Sequence, residues 1–116
     1  MTAEVTILNV MPNLSSFLVA PLAGLPAQSL KYAEVELESQ RLLYRTKKKY
    51  EDSGVTIYSK LLKGDPAYSI IKEAEAGKYD MIIMANRGLS EISEFLMGSV
   101  SSKVVRHASC PVLIVR

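Results

Sequence analysis

The sequence predicts an α/β protein built on a parallel sheet with helices on both faces. Short runs of β-branched and aliphatic residues alternate along the chain with longer stretches rich in helix formers. The first of those runs, EVTILNV, is also nearly continuous in β-branched and aliphatic residues, as expected for a strand covered on both faces. Parallel neighbours then require crossover connections, which the helical stretches supply.

Glu4 to Val10, EVTILNV, reads as the first strand. Met11 to Ala27 contains Pro12, Pro21, Gly24 and Pro26 and reads as a loop; one of this length is usually functional or mobile. From about Gln28 to Asp52 helix formers dominate, with Leu30, Ala33, Leu37 and Tyr44 recurring on one side and Gly54 ending the element. Val55 to Leu62 has the β-branched and aromatic content of a second strand, closed by Gly64-Asp65-Pro66. Asp65 is a natural N-cap and Pro66 a natural first helical residue, after which Ala67, Ile70, Ile71 and Ala74 form one stripe. Capping accounts for every residue of that loop without a bound anion. Met81 to Ala85 is the third strand and Val112 to Val115 the fourth, with a helix from about Ser99 to Ala108 between them. Ser90 to Leu96 has room for a short helical turn capped by Ser90.

The stretch from Asp80 to Val104 carries the chemistry. An apolar strand empties into Ala85-Asn86-Arg87-Gly88, and Gly98-Ser99 then opens a helical pattern. Glycine permits a sharp turn and a close backbone approach, and N–H groups at a helix N-terminus attract anions. Ser99, Ser101 and Ser102 add hydroxyls suited to phosphate oxygens. Glycine and serine also end strands and cap helices for structural reasons alone, so spacing by itself leaves both readings open. The chain has no G-x-x-x-x-G-K-[ST] loop and no G-x-G-x-x-G after a strand, so any nucleotide would use a different cradle. In open parallel sheets ligands sit at the carboxyl ends of strands, which is where this loop falls.

The segment ANRGLSEISEFLMGSVSSKVVRHASCPVLIVR resembles the end of universal stress protein domains. Nucleotide-binding members of that family carry Gly, two residues, Gly, nine residues, then Gly-Ser or Gly-Thr. Here Ala85 takes the first glycine position, Gly88 the second, and Gly98-Ser99 the final pair. The likeness runs back through GDPAYSIIKEAEAGKYDMIIMA to EVTILNV and so covers nearly the whole chain. It implies an adenine nucleotide alpha hydrolase-like, Rossmann-like fold and a cytoplasmic stress-response domain that binds ATP, with Mg2+ accompanying the triphosphate. By this resemblance Val10 offers backbone contact to the base, and Met84 and Ala85 lie beneath sugar and base. Arg87 and Gly88 border the phosphates, and Gly98, Ser99, Val100 and Ser101 cradle them. Resembling proteins pair through their last strand, which implies a homodimer through Val112, Leu113, Ile114 and Val115.

The chain departs from the family pattern in two places. Ala85 replaces a glycine, which matters only if that position needs positive φ or a closer backbone approach. Family members also begin with one more strand and helix, the strand lying between those matching Glu4 to Val10 and Met81 to Ala85 and ending in an aspartate near the adenine. An N-terminally truncated fold is therefore expected, with two central strand edges unpaired. A lost or misassigned start, a strand supplied by another chain, or a changed strand order would each resolve this, and the first is the preferred expectation.

Composition narrows the remaining classes. At 116 residues the chain is expected to form one domain, residues 1–116. With 48% hydrophobic and 22% charged residues it is ordinary for a globular protein, and its net charge of +2 gives no nucleic-acid footprint. Lys47-Lys48-Lys49 reads as a solvated helix end favourable to the dipole. No apolar run is long enough to span a bilayer and no signal-peptide pattern opens the chain, so a cytoplasmic location is expected. The single cysteine, Cys110, excludes an internal disulfide and reads as a small buried residue, with a reactive thiol as the lesser reading. His107, the single histidine, falls near a helix end, where imidazolium suits the dipole. No general base or nucleophile–base pair can be placed near Gly88 and Gly98, so the expected role is regulatory rather than catalytic. The competing reading is a dimeric stress-response scaffold without nucleotide.

Overall fold

The computed structural model describes residues 3–13, 25–85 and 98–116, with side chains from residue 31 onward in the second stretch. The elements are β1 (Glu4–Met11), α1 (Leu25–Tyr50), β2 (Thr56–Lys63), α2 (Pro66–Ala76), β3 (Ile82–Ala85), α3 (Ser99–His107) and β4 (Val112–Val115). Among the described residues the chain divides into two compact units, Met1–Asp65 and Pro66–Arg116.

In the first unit β1 and β2 pair in parallel from Glu4↔Thr56 to Met11↔Lys63. A parallel pair needs a crossover, and α1 provides it, packing on both strands. Met11, Tyr32 and Leu43 are its buried apolar residues. Lys63 at the end of β2 ties strand to helix, its Nζ lying 3.0 Å from Glu36 Oε2 and 5.8 Å from the centre of the Tyr32 ring. The hydrogen bond to Glu36 raises the Lys63 pKa above its ordinary value. Gly64 then turns the chain at φ +143°, a conformation side-chain-bearing residues rarely adopt, and its N–H donates to Met11 O at 2.8 Å.

Two sequence expectations change in this unit. Helix α1 begins at Leu25 rather than near Gln28, with Pro26 inside its first turn, where no intrahelical N–H bond is lost. Its buried side is also not the expected one: Ala33, Leu37 and Tyr44 are exposed, Tyr44 at 64%, whereas Tyr32 and Leu43 are buried. Val35, Glu36, Ser39 and Thr46, half-buried, complete the inward face. The cause is polar: Glu36 belongs on that face because it meets Lys63 there, and apolar periodicity cannot register a carboxylate.

In the second unit β3 and β4 pair in parallel from Ile82↔Val112 to Ala85↔Val115, and Ile82 N–H donates to Pro111 O at 2.9 Å. Helix α2 starts at Pro66 as the Asp65-Pro66 signal predicts, and the expected stripe is the inward one: Ala67 and Ala74 are buried, Ile70 and Ile71 half-buried. It ends at Gly77 and at Lys78, whose φ is +54°. Helix α2 packs on α3, and α3 touches β4. Ile82, Met84, Val112 and Ile114 form the half-buried face of the strand pair, and Ile83, Leu113 and Val115 the exposed one. The helical turn expected within Ser90 to Leu96 lies outside the described residues.

Candidate functional site

In the second unit β3, α3 and β4 follow one another as a strand, a helix and a parallel strand. A crossover helix between parallel strands runs back along the sheet, so its N-terminus belongs to the edge where the strands end. Met84 and Ala85 are the last two residues of β3, half-buried and exposed respectively. Gly98 is the N-cap of α3 and Ser99 its first residue. Arg87 and Gly88 lie outside the described residues.

The start of α3 is built from short residues around an anchored turn. Gly98 is buried, with φ −65° and ψ 161°. Any residue adopts that conformation, so the value of a glycine here is space and not backbone freedom. Ser102 N–H donates to Gly98 O at 3.0 Å and so makes the first bond of the helix. The N–H groups of Ser99, Val100 and Ser101 precede that bond, and no side chain of the N-cap residue caps them. Ser99 is exposed and Val100 half-buried. The first turn carries no acidic side chain, while Arg106 and His107 occupy the last turn, so the side chains complement the helix dipole. Val104, fully buried, fixes the helix from below.

Ser101 behaves differently from the expectation based on hydroxyl count. Its side chain is buried and its Oγ donates to Gly98 O at 3.1 Å. The proton is thus turned inward to the carbonyl of the cap. Serine three residues after a cap makes this backbone contact readily, which is the signal in the sequence that hydroxyl counting passes over.

Ala85 carries no backbone strain. Lys78 is the one non-glycine residue with positive φ among the described residues, so an alanine in the first glycine position of the motif fits its dihedral angles. Val10, on the first unit, is half-buried, pairs with Leu62 and lies one residue from the carboxyl end of β1. His107 is exposed in the last turn of α3, as its sequence position predicts, and Cys110 is half-buried just before β4. Among the described residues no group of three His, Cys, Asp or Glu side chains could hold a metal ion. A groove of about 480 Å³ belongs to the first unit and is lined by residues including Leu43, Tyr44, Lys47 and Leu61; no predicted site residue lines it.

Comparison with known proteins gives a consistent result. A model described as the universal stress protein family matches residues 1–116. Universal stress protein MJ0531 of Methanocaldococcus jannaschii is 40% identical over 101 residues, which cover 84% of this chain and 59% of that protein. Universal stress protein YxiE of Bacillus subtilis is 37% identical over 83 residues, covering 72% of this chain and 56% of that one. The chain thus spans between half and three fifths of the length of these two relatives. The solved structure of MJ0577, a hypothetical protein whose biochemical function was assigned from structure, superposes with a TM-score of 0.81 at 27% identity, covering 99% of this chain and 76% of that one. The α/β architecture with parallel strands is therefore the Rossmann-like architecture of these neighbours, and the chain belongs to the universal stress protein family.

Proposed function

We propose that this chain binds an adenine nucleotide, ATP, as a regulatory ligand, with its phosphates at the N-terminus of α3. The observation that carries the reading is the buried Gly98 at the head of a helix whose first turn lacks both a side-chain cap and an acidic residue. The N–H groups of Ser99, Val100 and Ser101, with the positive end of the dipole behind them, suit a polyanion. Arg87 and Gly88 complete the phosphate border in this proposal, and Met84 and Ala85 underlie sugar and base, as the family motif implies. Mg2+ would travel with the triphosphate, because the described residues offer it no donor set of their own. The proposed setting is a cytoplasmic stress response, and the proposed role is binding rather than turnover.

Isothermal titration with ATP tests the site. Wild type should bind, and Gly98→Val, which puts a branched side chain into the buried cap, should bind more than about tenfold more weakly, a loss above about 1.4 kcal/mol. Equal affinity in a folded variant would remove the α3 N-terminus from the site.

A second reading has its own observation. Leu113 and Val115 of β4 are 49% and 48% exposed, and Ile83 beside them is 66% exposed. Covering this apolar strand with its counterpart in a second copy would bury it, so we also propose a homodimer through Val112, Leu113, Ile114 and Val115.

A further inference from the structure

Helix α1 carries its charges in two blocks. Glu34, Glu36 and Glu38 occupy its middle, and Arg41, Arg45, Lys47, Lys48 and Lys49 follow with no acidic residue among them. One side of the helix collects Lys31, Glu34, Glu38, Arg45 and Lys49, all exposed, and Asp52 continues that side in the turn beyond. At roughly 100° per residue these positions fall in one narrow stripe, about a third of a turn away from the buried Tyr32 and Leu43. Leu42, 50% exposed, lies midway along the length of the stripe, on its edge nearer the buried side.

The stripe is complementary to itself in one orientation. Two copies laid antiparallel about a centre between Arg41 and Leu42 bring Glu38 opposite Arg45, Glu34 opposite Lys49 and Lys31 opposite Asp52. The two-fold symmetry makes each of these pairs twice, and the two Leu42 side chains meet beside the axis. A parallel pair would instead set like charges against each other. Antiparallel helices also oppose their dipoles. Arg41, which the pairing leaves near the axis, is already held by Glu38 of its own helix at 3.0 Å, and with both side chains well exposed the carboxylate is open to sharing.

We propose that this face of α1 is an antiparallel docking surface for a second copy of the same chain, separate from the strand β4. The partner is fixed by charge order: an arbitrary acidic or basic peptide would meet one block favourably and the other unfavourably. Exposed ion pairs are individually weak, so the association is a weak one that depends on several pairs acting together and falls with salt.

Sedimentation equilibrium at low ionic strength provides the test, on wild type and in a Leu113→Lys background that removes the β4 contact. Glu38→Arg and Arg45→Glu should each weaken association in both backgrounds by about tenfold or more, since each replaces two attractions with two repulsions. The double variant Glu38→Arg/Arg45→Glu restores opposite charges across the axis and should associate like wild type. Both positions are exposed, and circular dichroism would verify that the variants stay folded. As an independent measure, Leu42→Cys with Cys110→Ser should form a disulfide-linked dimer on oxidation. The proposal is overturned if the double variant stays as weak as the single ones, or if neither single variant nor added salt alters association in the Leu113→Lys background. Loss of wild-type association on Leu113→Lys alone, with no response to the charge variants, would favour β4 as the contact and defeat this one.

Discussion

Tyr58 and Glu4 sit on neighbouring strands, Glu4 two residues before Tyr58's direct partner Thr6, and the tyrosine hydroxyl donates to Glu4 Oε2 at 3.2 Å. The hydrogen bond to the carboxylate, and next its charge, raise the Tyr58 pKa above the ordinary tyrosine value. A raised value means the folded chain holds this proton more tightly than the unfolded chain. The stabilisation is therefore complete below the unfolded tyrosine pKa and is lost as pH rises through the folded one, on the alkaline side. Carbon NMR of labelled tyrosines should show Tyr58 titrating later than free tyrosine, and Glu4→Gln should bring it back. An ordinary midpoint in the wild type would contradict the contact. Residue-scale chemistry of this kind is invisible in the sequence, because 54 positions separate the partners and only the strand register joins them. Ala85 shows the opposite case: its place at the strand end was legible, and the structure adds that its dihedral angles need no glycine.

Among the elements, α3 and β4 follow the sequence most closely. Gly98-Ser99 sets one boundary and Pro111 precedes the other, so local chemistry decides both. Apolar periodicity selects the wrong inward face for α1 because the polar members of that face, Glu36 and Ser39, lie on it half-buried, and the partner that makes Glu36 tolerable comes from Lys63 far along the chain. The glycine that follows α2 answers to a contact that no local pattern reveals. A Cβ added to Gly77 would run into the ring of Tyr79, whose hydroxyl donates to Glu73 Oε2 at 3.1 Å. Gly77→Ala should accordingly destabilise the protein by about 1 kcal/mol, as overpacking outweighs the gain in helix propensity. In a Tyr79→Ala background the same change should be neutral or stabilising. Urea unfolding of the four chains measures this, and an equal cost in both backgrounds would show that the ring is not the cause.

At the scale of the whole molecule, the class of fold was legible because every strand is a short run with β-branched or aliphatic content and every helix a separate stretch between two such runs. What the sequence could not supply was the division into two compact units, each with its own parallel strand pair. Strand pairing is a property of the assembled backbone, and an apolar run does not say which of its neighbours it will join. Family membership and the helix-head geometry of α3 together support the nucleotide reading, which makes the backbone N–H groups of that helix the central claim. Its most direct test is the amide spectrum of uniformly nitrogen-labelled protein during titration with ATP. The account predicts saturable shifts concentrated at Ser99, Val100 and Ser101, abolished in Gly98→Val. Shifts confined to other residues, or none at ATP concentrations in the millimolar range, would contradict it.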